Sequence, residues 1–279
     1  MNLKNNYENG SIKKKKLKKE KDLMQIDFFT LLEKYRQKGN GGKKHLREEL
    51  EKLKNNTIKI KDTSKTNKYP NNKYIVARDN SKAKSNKGER GLGWKIYKKY
   101  KFGGNSSINI ENDCFYAYSF EVPMRGYWEY KNKTWIHRKK ADLLFYNKTQ
   151  NSLTIAELKG KYSERNKGSF ILEGFLELII YYLDSMKNKE QIRCECYKPY
   201  ECKDLMLSRK QIEKANCLEI SEKCFLIAPE EYWKKEKEKN KKTGDMDLLR
   251  ALLKILETQV KIKIMLLSEN NKHEIKIYK

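Results

Sequence analysis

The sequence predicts a mixed α/β domain in which a central sheet is flanked by helices, with the core order α-β-β-β-α-β and a basic helical extension ahead of it. Three observations carry that prediction. The runs ADLLFY (141–146) and LTIAELK (153–159) are apolar on both alternating faces and are separated by the turn NKTQNS, so they read as a hairpin covered on both sides. The next apolar segment, FILEGFLELIIYYLDSM (170–186), reads as a buried helix. Charge is uneven: residues 1–100 hold 29 basic and 11 acidic side chains, whereas residues 101–279 hold 34 and 26.

Taken in order, residues 1–20 form a lysine-dense tail with nothing to bury and are expected to be disordered. Residues 21–54 are expected as a helical N-terminal extension. Leu23, Ile26, Phe29 and Tyr35 recur at helical spacing over 22–37, a second short helix covers 43–54, and Gly39, Gly41 and Gly42 turn between them. Residues 55–87, rich in Asn, Lys, Ser and Thr, read as a linker, so the main domain occupies 88–279 and is expected to fold without the extension. It opens with a short helix, GERGLGWKIYKKYKF, stopped by Gly103 and Gly104. The strand CFYAYSFEVPM follows, with a bend or bulge at Pro123 and Gly126, and then the small hairpin YWEY–KNK–TWIH. After the central hairpin and helix 170–186 come a strand, CFLIAPEEYW, an exposed lysine-rich stretch, a helix, DMDLLRALLKILETQ, and a closing strand, VKIKIMLLS.

The net charge is +26. Lys supplies 53 of the 63 basic residues, and with 24 Asn this is partly what an AT-rich genome writes. Composition bias alone would spread evenly, yet the first 100 residues carry a net +18 and the remainder +8. A basic arm on a nearly balanced body points to a polyanionic partner, DNA or another nucleic acid. No apolar run reaches the roughly 18 residues of a membrane span, and no secretory signal opens the chain. The expectation is a cytoplasmic protein without a membrane partner. The six cysteines then read as reduced structural thiols; the spacing of Cys194, Cys196 and Cys202 is not that of a zinc finger, with a zinc or iron–sulfur site as the alternative.

The chemistry concentrates at one end of the central hairpin. Asp142 and Glu157 are symmetric about position 149.5, the middle of the turn, so an antiparallel pairing sets them opposite each other. Lys159 is two residues beyond Glu157, on the same face. Facing carboxylates repel unless a cation lies between them. Magnesium fits, as a hard ion that takes one or two carboxylates and keeps waters for a phosphate substrate; manganese is an acceptable substitute. Lys159 would orient or deprotonate the attacking water, or stabilise charge on the phosphorane. The bland alternative is a solvated cross-strand charge cluster.

The segment ADLLFY–turn–LTIAELK resembles the signature of the PD-(D/E)XK nuclease superfamily, which includes restriction endonucleases, RecB-type nucleases and Holliday junction resolvases. The resemblance covers roughly residues 88–230, with Ala141 where a proline often precedes the aspartate. It implies a restriction-endonuclease-like α-β-β-β-α-β core, Asp142 and Glu157 as metal ligands, Lys159 as the catalytic lysine, and magnesium-dependent hydrolysis of DNA in restriction, defence or recombination. KGERGL resembles the start of the first core helix in the resolvases, which makes Glu89 the candidate third ligand, with Glu121 as its rival if a bulge near Pro123 sets it beside Asp142. Glu173, Glu177 and Tyr181 form a polar stripe on helix 170–186, read as its wet face. RecB-like members carry Gln-x-x-x-Tyr there, and only the tyrosine matches. Lys161, Arg165 and Lys167 are candidate phosphate contacts. A second copy or a partner subunit is compatible with this reading. The competing expectations are a nucleic-acid-binding module with a non-catalytic nuclease-like core, against which the intact Asp, Glu and Lys argue, and an RNA-directed nuclease.

Overall fold

The computed structural model describes residues 23–38, 41–61, 88–123, 128–131, 134–137, 140–160, 170–190, 192 and 218–278. The expected tail (1–20), most of the expected linker (62–87), the loop with Lys161, Arg165 and Lys167, and Cys194, Cys196, Cys202 and Cys217 lie outside these residues.

The chain begins with strand β1 (Leu23–Ile26), where the helical pattern of 22–37 had been expected to start. Helix α1 (Phe28–Gln37) starts later because Asp27 caps it: its carboxylate accepts from Thr30 N at 2.9 Å and from Thr30 Oγ1 at 2.7 Å. Helix α2 (Gly42–Lys52) follows, and then strand β2 (Thr57–Ile60), which pairs in parallel with β1 and removes the first residues of the expected linker from that role. The main domain opens as expected with α3 (Gly88–Tyr100). A short edge strand, β3 (Ile108–Ile110), precedes the long β4 (Asp113–Pro123), and β5 (Trp128–Lys131) with β6 (Thr134–His137) forms the small hairpin. The central hairpin is β7 (Lys140–Asn147) and β8 (Ser152–Leu158), followed by α4 (Ile171–Lys187).

Strand β9 (Glu219–Pro229) ends earlier than the expected CFLIAPEEYW strand, because Pro229 caps helix α5 (Glu230–Thr243). The lysine-rich stretch is therefore helical. Its first turn is anchored by fully buried Tyr232 and Trp233, and the indole of Trp233 donates to Leu267 O at 2.9 Å. Helix α6 (Asp245–Ile255), a wider π-type turn (Leu256–Val260), β10 (Lys263–Glu269) and β11 (Ile275–Ile277) complete the chain.

Seven strands make the main sheet, in the order β11-β10-β9-β8-β7-β4-β3. The β8–β9 and β9–β10 neighbours are parallel and the other four pairings antiparallel, so the sheet is mixed and mostly antiparallel. One extra residue, Tyr118, bulges between Ala117 and Ser119; the bulge expected near Pro123 is five residues upstream. The faces divide as alternation requires. Leu143, Phe145, Ala156 and Leu158 pack under α3, while Leu144, Leu153 and Ile155 pack under α4. On the first face Gly93 brings α3 close to the sheet: a Cβ there would lie 2.7 Å from Phe120 and 2.9 Å from Leu158.

The N-terminal extension is part of this core rather than an appendage. Phe28, Leu32, Leu46, Leu50 and Leu53 are buried in the same cluster as the α4 and α6 side chains. Arg47 Nε donates to Asp245 Oδ1 at 2.7 Å, and Ile58 N donates to Gln259 Oε1 at 2.7 Å. A body that folds without residues 1–54 is therefore not what the packing supports. Leu46→Ala should destabilise the whole protein by about 2–5 kcal/mol, read in denaturant as one shifted transition. An early separate transition that leaves the main one unmoved would show an independently folding extension.

Candidate active site

Leu143 faces Ala156 and Asn147 faces Ser152 across the β7–β8 ladder. The pairs are centred on the turn as the sequence requires, and the same register continued one residue beyond Leu143 and Ala156 sets Asp142 opposite Glu157. Three successive amides fix the end of β8 beyond it. Leu158 N donates to Asp142 Oδ2 at 2.8 Å, Lys159 N to Ile227 O at 2.8 Å, and Gly160 N to Glu89 Oε1 at 2.9 Å. Each amide has a partner from a different element, so hairpin, parallel neighbour and α3 together set this backbone.

Glu157 and Lys159 are buried, 5% and 2% exposed. Lys159 Nζ donates to Glu157 Oε1 and to Glu177 Oε2, both at 3.0 Å. Room for the lysine comes from Gly174 on α4, where a Cβ would lie 2.1 Å from Lys159 Cε. Glycine inside a helix costs about 1 kcal/mol relative to alanine, and here that space holds the lysine side chain. The other Glu157 oxygen, Oε2, is buried and has no hydrogen-bond partner.

The stripe on α4 faces this cluster, not solvent. Tyr181 is 3% exposed, and burial, together with Glu157, Glu177 and Asp142, holds its hydroxyl well above the usual phenol range. The Arg36 guanidinium reaches the far side of Glu177 and also donates from Nε to Glu173 Oε1 at 3.1 Å. Tyr35 Oη donates to Glu173 Oε2 at 3.1 Å. Sequence reasoning missed Glu177 as a partner of Lys159 and Arg36 as a partner of Glu177. The i, i+4, i+8 spacing of the stripe was the available signal; its contacts depend on residues 138 and 141 positions away.

Glu89 and Glu121 are placed differently from each other. Glu89, in the first turn of α3, holds the Gly160 amide. The backbone of Glu121 lies between Phe120, opposite Leu143, and Val122, opposite Ala141, and so falls across from Asp142; its side chain lies outside the described residues.

Five carboxylates (Glu89, Asp142, Glu157, Glu173, Glu177) gather around two cations (Lys159, Arg36). Burial pushes Asp142 up to about 7, although its hydrogen bond from Leu158 and the charge of Lys159 pull the other way. Burial and the facing Asp142 raise Glu157 well above the carboxylate range. Burial opposes the charge on Lys159, but Glu157, Glu177, Glu89 and Asp142 outweigh it and keep the ammonium protonated. Burial likewise opposes ionisation of Glu177, and Lys159 and Arg36 outweigh it. The site is short of positive charge between Asp142 and Glu157, on hard oxygen donors suited to magnesium or manganese. Among the described residues no group of three or more His, Cys, Asp and Glu side chains is arranged to hold a metal.

An open cleft of about 490 Å³ lies at the other end of the sheet, lined by Gln150, Ser152, Lys223 and Lys263 among others. Its Lys223 and Lys263 are paired with Asp113 and Glu111, and none of the five carboxylates or two cations of the cluster lines it. No helix among the described residues is long and apolar enough to cross a membrane. No protein-family model, no curated protein and no solved structure matches the chain.

An acid whose pKa is raised on folding binds more protons in the folded state, so its contribution to stability falls as pH rises from the ordinary Asp value near 4 through about 7. Asp142→Asn removes that dependence. In metal-free buffer the variant should gain on the wild type by at least about 1 kcal/mol between pH 5 and pH 8, measured by denaturant unfolding. An unchanged difference would show that Asp142 is ionised in both states.

Proposed function

We propose that this chain is a metal-dependent nuclease of the PD-(D/E)XK type that hydrolyses DNA phosphodiester bonds, in restriction, defence or recombination. The restriction-endonuclease-like topology belongs to the same proposal; it is supported by the order α3-β4-β7-β8-α4-β9, with three antiparallel strands and a fourth parallel to the third. The observation that carries the reading is the buried, unpartnered Glu157 Oε2 beside Asp142, with Lys159 on the same face. Two carboxyl groups facing each other in a buried sheet cannot both ionise without cost, and a divalent cation offsets that cost.

Asp142 and Glu157 would hold the ion, magnesium with manganese as a substitute. When bound, it supplies positive charge that activates water and polarises a phosphoryl oxygen. The chain's own groups do the rest. Lys159 has three N–H donors, of which Glu157 and Glu177 take two. The proposal assigns the third to a water or a phosphate oxygen. A lysine held protonated by four carboxylates does not serve as the base, so its role is to orient and to stabilise charge as phosphorus becomes five-coordinate. Hydrolysis adds the water oxygen to phosphorus and breaks one P–O bond; the attacking water gives up one proton to solvent and the departing oxygen takes one from it. The lysines of the first 100 residues, which give that segment its net +18, would supply affinity for the phosphate backbone.

The experiment is incubation of the full chain with supercoiled, linear and single-stranded DNA, and with RNA, in magnesium, manganese, calcium or chelator. Cleavage of DNA in magnesium and none in chelator is expected. Binding without cleavage under every condition would leave a nucleic-acid-binding module.

Two sets of variants test the assignment of roles. Asp142→Ala and Glu157→Gln should abolish cleavage while DNA binding stays within about twofold in a filter or anisotropy assay; wild-type cleavage in both would remove the site. Lys159→Arg should lose at least about 100-fold in single-turnover rate, the lower end of what a positioned group contributes. The slot opposite Gly174 fits an ammonium, and the guanidinium is larger and planar. Magnesium binding by calorimetry should survive that change, and full activity would leave Lys159 a spectator.

A further inference from the structure

Among the described residues, the N-terminal extension reaches Glu177 of the proposed site through one hydrogen-bonding side chain, Arg36. Arg36, in the last turn of α1, directs its NH2 group to Glu177 Oε1 and its Nε to Glu173 Oε1. Glu173 and Glu177 are four residues apart and so share a face of α4. The second oxygen of Glu177 receives Lys159 Nζ at 3.0 Å. Each oxygen of Glu177 is thus committed to a different cation: one on α1, one at the end of β8.

We infer that Arg36 is a positioning residue for Lys159, acting through Glu177, so that the extension completes the site from 123 positions upstream in the sequence. This rests on the nuclease reading above. The direction of the third N–H of Lys159 is fixed only while the other two are held, and Glu177 holds one of them from the α4 side. Without Arg36, Glu177 has a single cationic partner and two rotatable oxygens, and it can follow Lys159 towards Glu157. With Arg36 it is held against α1, and Lys159 is drawn across the slot left by Gly174. Arginine suits the task because its planar fork serves two carboxylates at once, and a lysine would serve one. Tyr35, one residue earlier, fixes the second of those carboxylates by donating to Glu173 Oε2. The extension is therefore held to α4 by packing of Leu31 and Leu32 and, at the same place, by charge.

The test uses the full-length chain as Arg36→Ala, Arg36→Lys, Glu177→Gln and the double variant Arg36→Ala/Glu177→Gln. Two quantities are read: the single-turnover rate and KM for DNA in magnesium, and the ammonium signal of Lys159 in 15N-lysine-labelled protein, assigned by its loss in Lys159→Arg. Arg36→Ala and Glu177→Gln should each lower the rate at least about tenfold with KM unchanged, and each should move the Lys159 signal. The double variant should be no slower than Glu177→Gln, because both act on one path. Arg36→Lys should recover only part of the rate. Multiplying losses in the double variant, a raised KM at unchanged rate (Arg36 touching DNA), or an unmoved Lys159 signal would each overturn the proposal. If the wild type cleaves nothing, the nuclease reading fails by itself and the Lys159 signal alone judges the contact path. If Arg36→Ala does not fold, Arg36→Lys, which keeps the charge, carries the same measurements.

Discussion

A buried ammonium between two carboxylates is the constraint around which this fold is arranged. Lys159 lies at the exit of β8, where the sheet is covered by α3 on one side and α4 on the other. Placing a charge there is unfavourable unless its hydrogen bonds are made within the protein. Glu157 from its own strand and Glu177 from α4 make two of them. This requires α4 to lie close over the end of β8, which in turn requires glycine at 174. It also requires β8 to end in one defined place, which the successive amides of Leu158, Lys159 and Gly160 secure on Asp142, Ile227 and Glu89. Packing of the helix on the sheet and geometry of the site are the same set of contacts.

Much of that arrangement is legible in the sequence because hairpin geometry is local. With the turn at NKTQNS, pairing register follows by symmetry and the side-chain faces follow by alternation. Leu143 and Leu158 on one face, Leu144 and Ile155 on the other, and the Asp142–Glu157 juxtaposition all come from counting. Helices α3 and α4 of the main domain are legible for the same reason, since apolar spacing over a dozen residues or more admits few alternatives.

What was not legible depends on distant partners. Leu23 and Ile26 fit a helical stripe running on to Tyr35, and only the side chain of Asp27 and the pairing with Thr57–Ile60 turn them into a strand. The lysine-rich run after Pro229 reads as solvated chain, since two buried aromatics in its first turn hold a helix that is otherwise polar. Glu177 is the most telling case. On an apolar helix a carboxylate at i+4 from another carboxylate reads as a wet stripe, and nothing local distinguishes that from a stripe facing buried cations.

The distribution of arginine makes the same point from composition. In a chain with 53 lysines among 63 basic residues, lysine is the default cation, and each arginine marks a place where the default was not used. The two arginines in the described part of the extension, Arg36 and Arg47, both cross to carboxylates of the main domain: Arg36 to Glu173 and Glu177 on α4, Arg47 to Asp245 at the start of α6. On α2, by contrast, Lys44 pairs with Glu48 and Lys52 with Glu49, within the helix itself. Such i, i+3 and i, i+4 pairs stabilise by only a few tenths of a kcal/mol, whereas partly buried arginine–carboxylate contacts fix orientation. Lysine in the extension thus supplies long-range charge and arginine supplies attachment. The second role ties the extension, through Arg36, to the cluster around Lys159.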